Sequence, residues 1–272
     1  MRKVLLSVAP VCHETVSVPE GVKVPYTPEE VAREVIQCAS MGTGMVHLHV
    51  RNEKGEQTAD LSHFSRTIDM IREESDIIIQ GSTGGVADLS LEERCVSLND
   101  PRVEVASLNM GSANLGEGVY INTLPDIRYW AKRMMEAGVV PEMEIFDLSM
   151  IASVSKIGKE GLAKAPFTFN FCMGFENAIQ ADPDHLNALK RAIPEGSHWG
   201  IIHENMADLS ILATAAGMGA SSLRFGFEDS FFYGKGKLAR NNMEILDKII
   251  RLLELMDMKP MTVSEARELM GI

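Results

Sequence analysis

Short apolar runs alternate with longer amphipathic segments from one end of the chain to the other. The first run covers residues 4–8 and ends at Ala9 and Pro10. A helix follows, with Thr27 as N-cap, Pro28 at the first helical position, and Glu29 and Glu30 in the first turn. Its apolar residues Val31, Val35, Ile36 and Ala39 recur at helical spacing, and it stops near Gly42. The same beat then repeats. Further strands are predicted over residues 45–50, 77–80, 103–109, 139–147, 167–172, 198–203 and 222–226. Further helices are predicted over residues 61–74, 90–98, 123–137, 151–162, 184–192, 206–218, 241–256 and 262–270.

About eight strands therefore alternate with about eight helices. Short apolar strands without strict polar alternation suit a parallel sheet covered on both faces. No linker, repeat or shift of composition interrupts the pattern. The expectation is one domain over residues 1–272 in the α/β class, a (β/α)₈ TIM barrel. The length agrees with the roughly 250 residues typical of that fold. An open doubly wound sheet is the alternative, but no GxGxxG follows the first strand.

Composition changes the picture only by exclusion. A net charge of −12 argues against general nucleic-acid binding, which needs a basic face. A local basic patch for an anionic co-substrate stays compatible with it. Cys12, Cys38, Cys95 and Cys172 are far apart and form no CxxC, as expected of reduced thiols in a cytoplasmic protein. The N-terminus turns polar too soon for a secretory signal, and no apolar run reaches the ~20 residues of a membrane span. The 17 methionines fall mostly in apolar stripes and read as core filler.

In a TIM barrel the chemistry gathers where the strands end. The second strand ends in His47, Leu48, His49, Val50 and Arg51. Side chains alternate along a strand, so His47 and His49 share a face, as a metal pair would. The bland reading is two satisfied polar residues at a strand end. The eighth strand ends in Arg224, Phe225, Gly226, Phe227, Glu228 and Asp229. Glu228 is a candidate third ligand, leaving one coordination position open. Asp229 beside Arg224 suits a positioned base, although a strand-end ion pair would look the same. The third strand ends in Gly81, Ser82, Thr83, Gly84 and Gly85, a candidate cradle for a carboxylate or phosphate. It has no P-loop lysine, which argues against nucleotide hydrolysis. Glu14 follows the first strand, Ser107 and Asn109 lie on the fourth and Glu144 on the fifth. His203 and Glu204 end the seventh. His13, His63, His185 and His198 have no partners in the pattern and read as surface or structural.

Taken in order, these motifs resemble the β-keto acid cleavage enzyme family. The resemblance runs nearly end to end. It rests on PYTPEE at residues 25–30, HLHVR at 47–51, IQGSTGG at 79–85, PEME at 141–144 and RFGFED at 224–229. It implies a (β/α)₈ barrel with zinc, or another divalent metal, on His47, His49 and Glu228. It implies condensation of a β-keto acid with acetyl-CoA, giving acetoacetate and a new acyl-CoA. Asp229 paired with Arg224 would remove the C2 proton, and Ser82 would help bind substrate. Ser107 replaces the family's threonine and keeps its hydroxyl. Family members are typically homo-oligomers. Where relatives carry a Gly-Arg pair after the seventh strand, this chain has His203 and Glu204. With Glu14, the family's contact for an amino substrate, this leads us to expect a substrate with a cationic or hydrogen-bond-donating far end. A metal-dependent aldolase or hydrolase working without CoA would use the same ligands. A metal sensor would lack the base, which Asp229 argues against.

Overall fold

The computed structural model describes residues 1–85 and 89–272. Eight parallel strands form the barrel: β1 (Arg2–Val8), β2 (Met45–Leu48), β3 (Ile78–Gly81), β4 (Val105–Asn109), β5 (Val140–Ile145), β6 (Thr168–Met173), β7 (His198–His203) and β8 (Ser222–Phe225). Each pairs with its neighbour in chain order, and β8 pairs with β1 to close the cylinder, with Ser7 opposite Arg224. Among the described residues, no helix is long and apolar enough to cross a membrane.

The helices among the described residues are α1 (Pro28–Ser40), α2 (Ser62–Glu74), α3 (Leu91–Arg94), α4 (Leu124–Ala137), α5 (Met150–Lys159), α6 (Pro183–Ala192), α7 (Ser210–Met218), α8 (Asn242–Leu255) and α9 (Val263–Met270). Side-chain caps start six of these nine, and α2, α5 and α7 begin without one. Capping boxes start α1 at Thr27 and Glu30, α4 at Thr123 and Asp126, and α9 at Thr262 and Glu265.

The two-residue period of the strands divides the core. Outward side chains such as Leu6, Val46, Ile79 and Leu108 pack under the helices. Inward ones at the N-terminal end, Leu5, Met45, Ile78 and Val105, pack against Ala266 and Met270 of α9. The last helix thus plugs the floor of the barrel. One step further along the strands the inward positions turn polar: Ser7, His47, Gln80, Ser107 and Glu142. The apolar floor and the polar middle follow from one alternation.

Three features differ from the pattern-based expectation. The helix expected over residues 90–98 is a single α-turn followed by a 3₁₀ turn, Val96–Asn99. β2 stops pairing at Leu48, so His49 sits on extended chain just past it. Two hairpins, Ala113–Leu115 with Gly118–Tyr120 and Phe232–Gly234 with Lys237–Leu238, and a strand Met258–Pro260 beside the start of β1 were not expected. All are too short for periodicity to reveal them.

The floor makes a testable prediction. Met270→Ala should lower unfolding stability by about 2–5 kcal/mol in urea titration, because the cavity lies against rigid strands that do not collapse into it. A loss under about 1 kcal/mol would mean that α9 is not part of the core.

Candidate active site and metal centre

His47 and His49 lie on one face because a single residue separates them, and Glu228 reaches them from β8 across the closed seam. The turn that delivers Glu228 is exacting. Gly226 has φ +135°, and a Cβ there would stand 2.2 Å from the Ala9 carbonyl oxygen. Only glycine allows this approach. The Glu228 N–H then donates to that same carbonyl at 3.1 Å. Asn242, fully buried at the start of α8, clamps the turn. Its Oδ1 accepts from the Phe227 N–H at 2.8 Å, while its Nδ2 donates to Pro10 and to Glu34.

The result is a convergent donor set. His47 Nε2 and His49 Nε2 lie 3.5 and 3.4 Å from Glu228 Oε1. A tetrahedral zinc with bonds of about 2.0–2.2 Å needs its donors roughly 3.3–3.6 Å apart. The donor chemistry fits too. Burial pushes the His47 imidazole down to about 3, and burial also lowers His49, so both rings are neutral. Burial alone would raise Glu228, but the Arg224 guanidinium outweighs it and holds the carboxyl well below its usual range. Each ring also has its Nδ1 engaged. Gln80 Oε1 stands 2.7 Å from His47 Nδ1, and Gln57 Nε2 2.7 Å from His49 Nδ1, so a metal-binding His49 needs that carboxamide turned to present its oxygen, which has no partner among the described residues.

Arg224 is the buried cation of the site. Its Nε donates to Asp229 at 3.0 Å and its Nη2 to Glu228 at 2.9 Å, with Glu144 at 3.7 Å. Burial raises the Asp229 carboxyl while Arg224 opposes the shift, giving a carboxylate that is oriented yet more basic than in water. Burial first, and the surrounding carboxylates second, push Glu144 and Glu204 up to about 8.

The GSTGG loop lies beside this centre. The Gly84 N–H donates to Ser82 Oγ at 3.0 Å, and the Thr83 hydroxyl donates to the Ser107 carbonyl oxygen at 2.5 Å. Thr83 therefore staples the loop to β4, whereas Ser82 lies in phase with the inward-facing Gln80. Asn109 is 1% exposed, and neither atom of its carboxamide has a hydrogen-bond partner among the described residues. An amide is seldom buried unpaired without reason, and a bound polar group would satisfy it. Glu14, by contrast, already accepts from Arg51 at 3.0 Å. Glu204 forms no salt bridge among the described residues.

The match to known proteins is extensive. The family model described as beta-keto acid cleavage enzyme matches residues 3–272. This chain belongs to the β-keto acid cleavage enzyme family. A 3-keto-5-aminohexanoate cleavage enzyme of Acetoanaerobium sticklandii is 36% identical over 276 residues, spanning 100% of this chain and 99% of the relative. A 3-oxoadipate:acetyl-CoA acetyltransferase of Cupriavidus necator is 30% identical over 255 residues, 92% of this chain and 88% of that protein. Among solved structures, a ternary complex of ObcA with a C4-CoA adduct and oxalate superposes with TM-score 0.78 at 18% identity. It covers 92% of this chain and 67% of that one, a likeness of fold. The family's members are transferases acting on β-keto acids, and the reaction class of this chain follows from its membership.

Gln57, Gln80, Glu142, Asn170 and Asn242 escape sequence reasoning. The available signals were Gln80, a lone amide inside an apolar strand and in phase with Ser82, and Glu142, inside the PEME motif and in phase with Glu144.

The cradle carries the prediction here. A Cβ on Gly84 would meet Tyr120 Oη at 2.8 Å and Ser82 Oγ at 3.2 Å. Its φ is ordinary, so Gly84→Ala should fold normally yet lose about tenfold or more in kcat/KM by displacing Ser82. Unchanged kinetics in a folded variant would mean that the loop does not contact substrate.

Proposed function

We propose that this protein is a zinc-dependent β-keto acid cleavage enzyme that condenses a 3-oxo acid with acetyl-CoA. The products are acetoacetate and a new acyl-CoA. The observation that carries this reading is the convergence of His47, His49 and Glu228 beside the buried Arg224–Asp229 pair, in a chain of this family. His47, His49 and Glu228 would hold a divalent cation, which when bound would supply Lewis-acid polarisation and so make the C–H beside the keto group acidic.

The protein's own groups do the rest. Ser82, Asn109 and the Gly84–Gly85 backbone bind the substrate carboxylate, with Ser107 bracing the loop at Thr83. Asp229, fixed by Arg224, takes the C2 proton. The C2 carbanion attacks the acetyl thioester carbonyl, a C–C bond forms and CoA thiolate leaves. The thiolate adds to the original C3 carbonyl, and the C2–C3 bond breaks. Acyl-CoA departs, and Asp229 returns its proton to C2 of acetoacetate. Atoms and charge balance without an outside reductant or oxidant. Arg224 keeps Asp229 pointed at the reacting carbon throughout.

The far end of the substrate is cationic in this reading. Arg51 engages Glu14, so Glu204 supplies the acid without a paired cation, one that a bound cation would hold ionised. Its pKa near 8 reflects burial and the repulsion of Asp229 and Glu228. An ammonium seated there would relieve that repulsion and pair an otherwise lone group.

Two outcomes test the proposal. Asp229→Asn should retain bound zinc while turnover falls about 10²–10⁴-fold, the usual value of a positioned base. Retained turnover would remove Asp229 from the mechanism. Across a panel of keto acids with acetyl-CoA, amino or trimethylammonium substrates should outperform neutral aliphatic ones, and chelation should silence all of them. Faster turnover of the neutral acids would overturn the cationic reading.

A further inference from the structure

The metal reading leaves three polar residues in the barrel interior without a role: Gln80 on β3, Glu142 on β5 and Asn170 on β6. All are buried, at 0–2% exposure. They form one continuous hydrogen-bonded line. Asn170 Nδ2 donates to Glu142 Oε2 at 3.1 Å, and Gln80 Nε2 donates to the same oxygen at 2.8 Å. Gln80 Oε1 then faces His47 Nδ1 at 2.7 Å.

The chemistry fixes every direction in this line. A carboxylate oxygen can only accept, so both amides must turn their nitrogens to Glu142 Oε2. That settles which end of Gln80 points at Glu142, and hence that its oxygen faces the imidazole. An amide oxygen can only accept, so His47 Nδ1 carries the proton. The lone pair is therefore on Nε2, the atom that faces Glu228 and His49. A ring in the other tautomer would present N–H to the cation and could not bind it. His47 is walled in by the barrel, so neither water nor solvent-borne buffer is at hand to play the part of Gln80.

We infer that Gln80, oriented by Glu142, is a positioning residue that sets the tautomer and the angle of His47 for metal binding. It touches neither substrate nor cation. The inference rests on the metal reading of the site, and it assigns the purpose of a charged residue buried below the reaction centre. Glu142 has a second oxygen, Oε1, with no partner among the described residues. Burial raises its carboxyl, against the pull of the Gln80 and Asn170 amides. A carboxylate in such a place is a costly device for filling space, and orientation of a ligand gives it a reason to be there.

The test is zinc affinity, measured by competition with a chromophoric chelator on the full chain. Gln80→Leu keeps the volume and removes both hydrogen bonds. It should weaken zinc binding about 10–100-fold, the usual effect of losing an outer-shell partner. The exchanged pair Gln80→Glu with Glu142→Gln rebuilds the line with its charge moved one residue closer to His47. Glu at 80 accepts from both His47 and Gln at 142, so affinity should return to within about threefold of the wild type or exceed it. A folded Gln80→Leu chain that binds zinc like the wild type overturns the inference. So does an exchanged pair that folds yet binds zinc tenfold or more weakly than the wild type, and that variant carries the test if Gln80→Leu fails to fold. A wild-type chain that binds no zinc overturns the metal reading itself, and the inference with it.

Discussion

The guanidinium of Arg224 is the charge around which the site is assembled. It lies inside the barrel wall and faces Asp229, Glu228 and Glu144 together. Without it, adjacent carboxylates at 228 and 229 would repel one another in a medium that solvates neither. With it, the two acquire opposite characters. Glu228 also faces the two imidazoles and is held ionised, as a ligand must be. Asp229 is paired with the arginine alone, and burial, with Glu228 beside it, leaves it more basic than usual, as a proton acceptor should be. Two neighbouring acids thus take different work from their surroundings, the same logic by which paired carboxylates divide acid and base roles elsewhere.

The barrel makes this arrangement affordable. A parallel strand alternates its side chains, and the closed sheet directs one set inward at every level. Apolar residues plus α9 fill the floor, so the polar layers above are sealed from solvent on one side. Polar groups in those layers must then satisfy one another or a ligand. Most do, through the Gln80–Glu142–Asn170 line and the Arg224 cluster. Asn109 does not, nor do Glu142 Oε1 and Asn170 Oδ1, and the Asn109 carboxamide lies beside the GSTGG cradle where the substrate carboxylate is proposed to bind.

How much of this is legible in the sequence depends on the range of the interaction. The strand and helix order is legible because helix caps and apolar runs are local signals, repeated often enough to define a barrel. His47 with His49, and Glu228 with Asp229, stand out because each pair is compact in sequence and rich in chemistry. The short hairpins are not legible, since three residues a side give no period to detect. The supporting amides are not legible for another reason. Gln80 meets Glu142 across 62 positions of chain, and Asn242 meets Glu34 across 208. Their roles exist only in the register of the folded barrel. The same holds for Glu14, which in the sequence is one free acid among many and in the fold is engaged by Arg51.

The reaction proposed for this site joins C1 and C2 of the substrate to the acetyl group of acetyl-CoA, while the rest of the substrate leaves on CoA. The most direct measurement uses acetyl-CoA carrying heavy carbon in both acetyl positions, with an unlabelled 3-oxo acid, and follows the products by mass spectrometry. The account predicts acetoacetate labelled in its carbonyl and methyl carbons only, together with an unlabelled acyl-CoA. Unlabelled acetoacetate, or label in the acyl-CoA product, would contradict it.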